Sequence, residues 1–303
     1  MSVVVIGGVN IDIGGISRAP LVPHDSNPGK ARISLGGVGR NIAHNLRLLN
    51  VPVTFLTALG DDAFADRIKE SCTALGIDLS HARILPGRNS STYLYIGGPD
   101  GDMHLAVSDM EICEEIDPAY IEQNLELLEK ADAIVIDANL PEETIEYICS
   151  HTDRPIFADP VSTVKAGKLK KSMGRIFAMK PNRIEAEILS GIRITDEGSL
   201  CQAAEAILRA GVKRVFISLG KDGVLAGERG SEEEAAHLVR VQAVPAKVRN
   251  ATGAGDAFMA GLVWAHLHGL GLEDSAKAAA RAAAVAVEGP ETINPDLGED
   301  TIQ

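Results

Sequence analysis

The chain has 303 residues, 45% of them hydrophobic and 23% charged, so it can bury a sizeable core and has the composition of a globular enzyme. Its 29 basic and 42 acidic residues give a net charge of −13, which argues against nucleic acid and anionic membrane as partners, because both bind basic surfaces. No stretch approaches the roughly 20 apolar residues of a membrane span. The N-terminus lacks a signal peptide's basic segment, and the four cysteines are widely spaced, so we predict a cytoplasmic protein.

The first predicted strand covers residues 3–7, a β-branched run typical of a strand buried on both faces of a parallel sheet. Asn10 and Asp12 follow it, at the sheet edge where open α/β sheets bind ligands. Two interpretations stay open for these side chains, because they either bind a polar ligand or serve as a turn residue and a surface acid.

Two segments, about 13–35 and 88–108, do not follow the alternation of strands and helices. The first contains the turn-rich string 25–30 (DSNPGK), and the second alternates about a glycine-rich turn, which is typical of a hairpin. We predict that both belong to a small β lid on a single domain spanning 1–303, since a lid would exclude water from a reacting site. Its exposed edge also predicts a homodimer formed through the lid.

A glycine pair opens the first predicted helix. Gly36 and Gly37 free backbone amides at the start of this helix, and Asn41 lies in its first turn, within reach of ligand hydroxyls. No G-x-G-x-x-G follows the first strand, so we set a Rossmann dehydrogenase aside.

From residue 117 onward strands and helices alternate, beginning with a helix predicted over about 117–130, and two motifs there suit a nucleotide. Asn182 and Glu185 begin a helix with N-x-x-E spacing, which puts both side chains on one face, where they could hold a hydrated Mg²⁺. A helix-start capping box explains the same pair structurally. Ser218, Gly220 and Gly223 lie in a strand–turn–strand unit that either admits a nucleotide close to the backbone or is a simple hairpin.

The most informative stretch runs from Thr252 through Gly253, Ala254 and Gly255 to Asp256 and leads into an apolar helix. Glycines allow a tight turn and a close approach of the ligand, and the free amides of the first helical turn bind anions together with the helix dipole. A carboxylate beside such a turn repels phosphate unless it accepts a proton from an attacking hydroxyl. The alternative is an aspartate that caps the helix.

Taken in this order, the motifs resemble the PfkB or ribokinase family of carbohydrate and nucleoside kinases over nearly the whole chain. The resemblance implies an α/β fold, a ribokinase-like three-layer αβα sandwich with a mainly parallel central sheet and a small β lid. It also implies a phosphotransferase with an alcohol group as acceptor. The Walker motif G-x-x-x-x-G-K-[ST] is missing, so this is not a P-loop kinase.

The resemblance assigns a role to each matching position. Asp256 would take the proton of a 5′-hydroxyl, while the amides of Gly253, Ala254 and Gly255 bind the γ-phosphate. Glu185 would reach Mg²⁺ through water. The positions near ATP would be Asn182, Glu185, Ser218, Gly220, Gly223 and Thr252. The positions near the nucleoside would be Asn10, Asp12, Asp25, Gly36, Gly37, Asn41 and Thr92.

Four strings resemble the pseudouridine kinase branch of the family, which implies phosphorylation of pseudouridine at its 5′-oxygen. They are 25–30 (DSNPGK), 36–43 (GGVGRNIA), 90–94 (SSTYL) and 294–297 (NPDL). Two alternatives stay open: a kinase for ribose, adenosine or another nucleoside, and a sensor that binds nucleoside or sugar without catalysis.

One departure from the family concerns a monovalent cation. Many members carry Asp-Thr before the glycine-rich turn and bind such an ion nearby, whereas Asn250 and Ala251 stand here. The change removes the most obvious hard oxygen ligand, which puts activation by K⁺ in doubt.

Overall fold

A computed structural model describes residues 1–100, 102–230 and 235–303. Gly101, in the turn of the predicted hairpin, lies outside the described residues. The strands are β1 (Val3–Ile6), β2 (Asn10–Ser17), β3 (Gly29–Gly36), β4 (Val53–Leu56), β5 (Ala58–Leu59), β6 (Ile77–Asp78), β7 (Arg83–Ile84), β8 (Thr92–Gly97), β9 (Met103–Asp109), β10 (Ala133–Asp137), β11 (Ile156–Asp159), β12 (Ala178–Met179), β13 (Arg214–Ser218), β14 (Val224–Glu228) and β15 (His237–Val241). The helices are α1 (Val38–Leu48), α2 (Ala63–Ala74), α3 (Pro118–Glu122), α4 (Leu125–Lys130), α5 (Glu142–His151), α6 (Arg183–Ser190), α7 (Glu197–Arg209), α8 (Ala254–Leu267), α9 (Leu272–Glu288) and α10 (Glu299–Ile302).

The central sheet has the order β15-β14-β13-β12-β11-β10-β1-β4-β6. All neighbours from β13 to β6 pair in parallel, and β14 and β15 extend the β13 edge antiparallel. The hairpin formed by β13 and β14 was predicted, whereas β15 was not.

Alternation along β1 shows why helices cover both faces of this sheet. Val3 and Val5 pack into the core that includes α1, α2, α8 and α9, while Val4 and Ile6 pack into the core that includes α3 to α7. All four side chains are buried, as expected for a parallel sheet covered on both sides. The predicted three-layer αβα sandwich with a mainly parallel central sheet is confirmed.

A second sheet has the order β3-β2-β8-β9 and is built from the two segments predicted as lid; we call it the lid sheet. Its strands alternate between a polar face and an apolar face. On the polar face, cross-strand pairing brings six side chains close to one another: Asp12, Arg32, Ser34, Tyr93, Tyr95 and Ser108. The other face carries the exposed apolar side chains Ile33, Leu94, Leu105 and Val107.

The helix predicted over 117–130 is divided into α3 and α4 at Asn124. The Asn124 side chain makes two polar contacts at this break. Its amide donates to the Tyr120 carbonyl oxygen, and its oxygen lies 2.7 Å from His81 Nδ1. Asparagine competes with the helical backbone in this way, which explains the break. None of the helices in the described part of the chain combines the length and apolar character of a transmembrane span.

Candidate active site

A cavity of about 650 Å³ lies between the lid sheet and the carboxyl ends of the parallel strands. This is the edge at which open α/β sheets bind ligands. The cavity brings together predicted residues from three distant parts of the chain: Asn10, Asp12, Gly36, Gly37, Asn41, Thr252, Gly253 and Asp256.

Asp256 lies in the first turn of α8, and its side chain is almost completely buried. Asn41 Nδ2, on α1, donates a hydrogen bond of 2.8 Å to Asp256 Oδ2. The Asn41 oxygen Oδ1 is buried without a partner, so it can accept a hydrogen bond from a ligand hydroxyl. Asn41 thus orients the carboxylate and still has capacity to bind a substrate.

The surroundings of Asp256 suit a general base. Burial, followed by the neighbouring Asp159 carboxylate, raises the pKa of Asp256 to about 7 against the opposing effects of Asn41 and Lys180. A carboxylate with a pKa near neutrality can accept a proton from a hydroxyl more effectively than an ordinary aspartate.

The turn before Asp256 has a geometry that suits an anion. Gly253 has a φ of 86°, and a Cβ at this position would overlap the Thr292 carbonyl oxygen, so only glycine fits. No side chain caps α8, which leaves the first amides of the helix available to a ligand. The backbone amides and the dipole of α8 therefore favour a phosphate at this turn.

Lys180 lies beside this turn, and the sequence interpretation passed over it. It follows β12 and is 6% exposed, and a Cβ at Gly255 would lie 2.9 Å from its Nζ atom. Lys180 Nζ lies 3.3 Å from Asp159 Oδ2. The only available signal was its place directly after a strand and before Asn182.

Asp137 is the second residue that the sequence interpretation passed over. It ends β10, is 1% exposed, and accepts hydrogen bonds from the backbone N–H groups of Gly8 (2.9 Å), Gly39 (2.8 Å) and Asn139 (2.8 Å). Burial raises its pKa to about 6 against the effect of these donors. The carboxylate thereby ties the end of β1 to the start of α1 and fixes the helix that carries Asn41.

The predicted Mg²⁺ pair forms a capping box. Asn182 Oδ1 accepts the Glu185 N–H at 2.9 Å, and Glu185 Oε2 accepts the Asn182 N–H at 2.9 Å. The structural interpretation of this motif is therefore confirmed, and the metal role stays a prediction. Burial raises the pKa of Glu185, which lies near Lys180 and Asp159.

The donor set near Glu185 fits a hydrated Mg²⁺ carried mainly by phosphates. Among the described residues, no three histidine, cysteine, aspartate or glutamate side chains form a metal-binding group. Mg²⁺ keeps several waters and needs only one or two carboxylates when it binds with a nucleotide. Glu185, with one oxygen engaged in the capping box, can supply such a carboxylate.

Apart from Thr252, the other residues predicted near ATP do not line the cavity. Ser218 forms an isolated parallel bridge with Asn182, so these two positions are adjacent. Gly220 has a φ of 58° and open space around it, which suits close approach of a ligand. Gly223 has a φ of 84°, and a Cβ there would overlap the Val241 carbonyl oxygen, so packing against β15 accounts for this glycine.

Two predicted nucleoside positions do not line the cavity. Asp25 is exposed in the loop between β2 and β3, and it lines a separate hollow on the lid. Thr92 pairs with Ile11 at the start of β8, and its hydroxyl donates to the Ser90 carbonyl oxygen at 3.3 Å. The neighbours Tyr93 and Tyr95 face the cavity instead, because side chains alternate along a strand.

The matching family model is described as pfkB family carbohydrate kinase and covers residues 1–298. The chain belongs to this kinase family. It is 36% identical to a pseudouridine kinase of Escherichia coli (strain K12) over 296 residues, 97% of this chain and 93% of that protein. It is also 36% identical to an uncharacterized sugar kinase of the same strain over 299 residues, 98% of this chain and 81% of that protein.

A solved ribokinase of Arabidopsis thaliana, complexed with ribose and ATP, superposes with a TM-score of 0.88 at 23% identity. The superposition covers 99% of this chain and 96% of that one, and it shows that the folds are alike. As a pfkB-family kinase, the chain is a phosphotransferase that acts on a hydroxyl group. The interpretation of the chain as an enzyme is therefore confirmed, and the alternative of a non-catalytic sensor is set aside.

We predict that Asp256→Asn abolishes turnover and stabilises the protein at pH 8. The folded chain holds the Asp256 proton more tightly than the unfolded chain, where the pKa of this group is near 3.8, so the free energy of unfolding falls as the pH rises from about 4 to about 7, and the full cost applies above that range. Asparagine removes this cost. Thermal unfolding should show a melting temperature several degrees higher at pH 8 and a shrinking difference as the pH falls toward 4.

The exposed Asp153 provides the matched control, since its side chain is 98% accessible. Asp153→Asn should change neither turnover nor this pH dependence. If Asp256→Asn has an unaltered or lower melting temperature at pH 8, burial of the ionised Asp256 carboxylate does not destabilise the folded protein.

Proposed function

We propose that this kinase transfers the γ-phosphoryl group of ATP to the 5′-hydroxyl of pseudouridine, giving pseudouridine 5′-phosphate and ADP. The observation that carries the proposal is the buried Asp256 carboxylate, which faces a nucleoside-sized cavity beside an uncapped helix N-terminus. The similarity to a pseudouridine kinase over nearly the whole of both chains supports the choice of substrate.

On this proposal the ribose lies at the polar end of the cavity. Asn10 Nδ2 donates to Asp12 Oδ1 at 2.6 Å, and burial raises the pKa of Asp12. The remaining carboxylate oxygen of Asp12 and the unpartnered Asn41 Oδ1 would accept hydrogen bonds from ribose hydroxyls. These contacts would place the 5′-hydroxyl against Asp256, as in-line attack on a phosphoryl group requires.

The base would lie under the lid sheet. Tyr93 and Tyr95 face the cavity with ring centroids 6.1 Å apart, and aromatic rings of this kind stack on nucleobases. Arg32 on the lid forms an ion pair with Glu291, and both line the cavity. This pair ties the lid to the segment after α9, and we propose that it closes the site to water.

ATP would bind beyond the turn that precedes Asp256, with its γ-phosphate at the amides of Gly253, Ala254 and Gly255. We propose Thr252, Asn182, Ser218, Gly220 and Gly223 as its other neighbours. Glu185 would hold Mg²⁺ through water, and the metal would neutralise charge on the phosphates. Asn250 Oδ1 accepts the Thr252 N–H at 3.0 Å, so we propose that K⁺ is not required.

A kinase for another ribosyl substrate, such as ribose or a different nucleoside, is the second candidate. The equal identity to an uncharacterized sugar kinase favours it. We propose a cytoplasmic location for either enzyme, because ATP is the phosphoryl donor and all four cysteines are free thiols.

The decisive experiment measures ADP release with Mg²⁺-ATP and a panel of pseudouridine, uridine, adenosine, ribose and fructose. We expect kcat/KM for pseudouridine to exceed that for uridine by about tenfold or more. Uridine has its N1 atom bonded to ribose and cannot offer the N1–H of pseudouridine, so a polar group of the site would be left unpaired. Asp256→Asn is the inactive control.

Preference for ribose or adenosine would support the second candidate and reject the first. Absence of turnover with all five, despite nucleoside binding, would contradict both.

We also propose that the chain forms a homodimer through the lid. Leu105 and Val107 are 62% and 58% exposed on the outer face of β9, an edge strand of the lid sheet. Apolar edge strands of this kind are normally covered by a partner. The identical face of a second copy would bury them by two-fold pairing.

Light scattering after size-exclusion chromatography should therefore give a dimer mass for the wild type, and Leu105→Glu should shift it toward monomer. Val164→Glu is the matched control, since Val164 is 91% exposed elsewhere on the surface. A monomeric wild type, or a dimer unaffected by Leu105→Glu, contradicts this interface.

A further inference from the structure

Lys180 is a buried cation that none of the predicted roles employs. It lies at the carboxyl end of β12, two residues before the capping-box residue Asn182. Its ammonium group forms an ion pair with Asp159, whose side chain is equally buried. Burying a charge costs free energy that an ion pair often offsets only in part, so the presence of Lys180 here calls for a specific reason.

The pair leaves the ammonium group free to bind something else. At 3.3 Å from Lys180 Nζ, Asp159 Oδ2 has no hydrogen-bonding partner of good geometry, so the contact is electrostatic. A lysine ammonium carries three N–H donors. Asp159 is itself fixed, because its Oδ1 atom accepts the Val161 N–H at 2.8 Å.

The position of Lys180 relative to the helix turn indicates its target. Gly255 has no side chain, and the Nζ atom lies 2.9 Å from the place where a Cβ would stand. The ammonium group therefore lies against the backbone whose amides open α8. An anion held by these amides would have Lys180 at close range, whereas a larger residue at 255 would separate the two.

The surrounding charges keep Lys180 protonated. Burial opposes its charge, but the carboxylates of Asp159, Glu185 and Asp256 outweigh that effect and hold the pKa of Lys180 above the ordinary lysine value. A cation that stays charged in a dry site stabilises developing negative charge far more than one in water.

We propose that Lys180 is a catalytic residue whose ammonium group binds a non-bridging oxygen of the transferring phosphoryl group, with Asp159 holding it beside the turn at Gly255. This inference rests on the proposed function of that turn as the γ-phosphate site. In the step it assists, the acceptor oxygen bonds to the γ-phosphorus and the bond from phosphorus to the β–γ bridging oxygen breaks. The bridging oxygen leaves with ADP, and the hydroxyl proton passes to Asp256; Lys180 neither gains nor loses a proton.

The first test compares kcat in Lys180→Met with the wild type, using the best acceptor in the substrate panel. We expect kcat to fall about 10²–10³-fold, as for loss of one donor to a transition-state oxyanion, with KM for the acceptor nearly unchanged. Lys180 lowers the pKa of Asp256, against Asp159 and Asp137, which raise it. The acidic limb of kcat/KM should therefore move to higher pH, a shift that a lysine needed only for folding would not cause.

Two further variants separate this role from folding. The double variant Asp159→Asn, Lys180→Met removes the unpaired carboxylate along with the lysine, so it should fold even if the single variant does not, and it should stay slow. Lys171→Met is the matched control, because Lys171 pairs with Glu142 and Glu146 on the surface. A folded single or double variant that keeps kcat within about tenfold of the wild type overturns the proposal.

A second test needs no acceptor and so stands apart from the identity of the substrate. Calorimetry would compare binding of ADP alone with binding of ADP plus beryllium fluoride, which occupies the place of the γ-phosphoryl group. We expect Lys180→Met to weaken binding of the pair by about tenfold or more and to leave ADP binding nearly unchanged. Equal effects on both ligands, or none, overturn the role of Lys180 whichever nucleoside or sugar the enzyme phosphorylates.

Discussion

Three carboxylates and one ammonium group are buried together at the carboxyl edge of the central sheet, and the site depends on how their charges are balanced. Asp137 and Asp159 end two adjacent strands, Lys180 follows the next strand, and Asp256 approaches from the start of α8. Burial disfavours every one of these charges, yet the single cation cannot neutralise three anions. Burial, together with the charge of Asp159, raises the pKa of Asp256 to about 7, a value that suits a group that takes and returns a proton.

The Asp137 carboxylate is satisfied by the backbone, which links the chemistry to the fold. Asp137 accepts N–H groups from the end of β1 and the start of α1, so the sheet and the helix are joined through one carboxylate. Because α1 carries Asn41, the same contact sets the hydrogen bond to Asp256. The turn at Gly253 and the small residue at 255 then allow Lys180 Nζ to lie against the backbone that opens α8.

Local sequence signals predicted the parts of this arrangement that local chemistry determines. The glycine-rich turn before Asp256, the paired glycines before α1 and the N-x-x-E box each depend on neighbours within a few residues. Lys180 and Asp137 could not be recognised this way, because their importance arises from the order of strands in the sheet. Asp25 and Thr92 were assigned by resemblance alone, and the alternation of the lid strands directs Tyr93 and Tyr95 to the cavity in their place.

The central claim is that Asp256 acts as a base whose proton affinity is set by burial among these charges. The pH dependence of kcat/KM for the preferred acceptor, at saturating Mg²⁺-ATP, tests it most directly. The account predicts an acidic limb in which kcat/KM falls about tenfold per pH unit below a midpoint near the pKa of about 7. A profile that stays flat down to about pH 5, near the range of an ordinary aspartate, would contradict it.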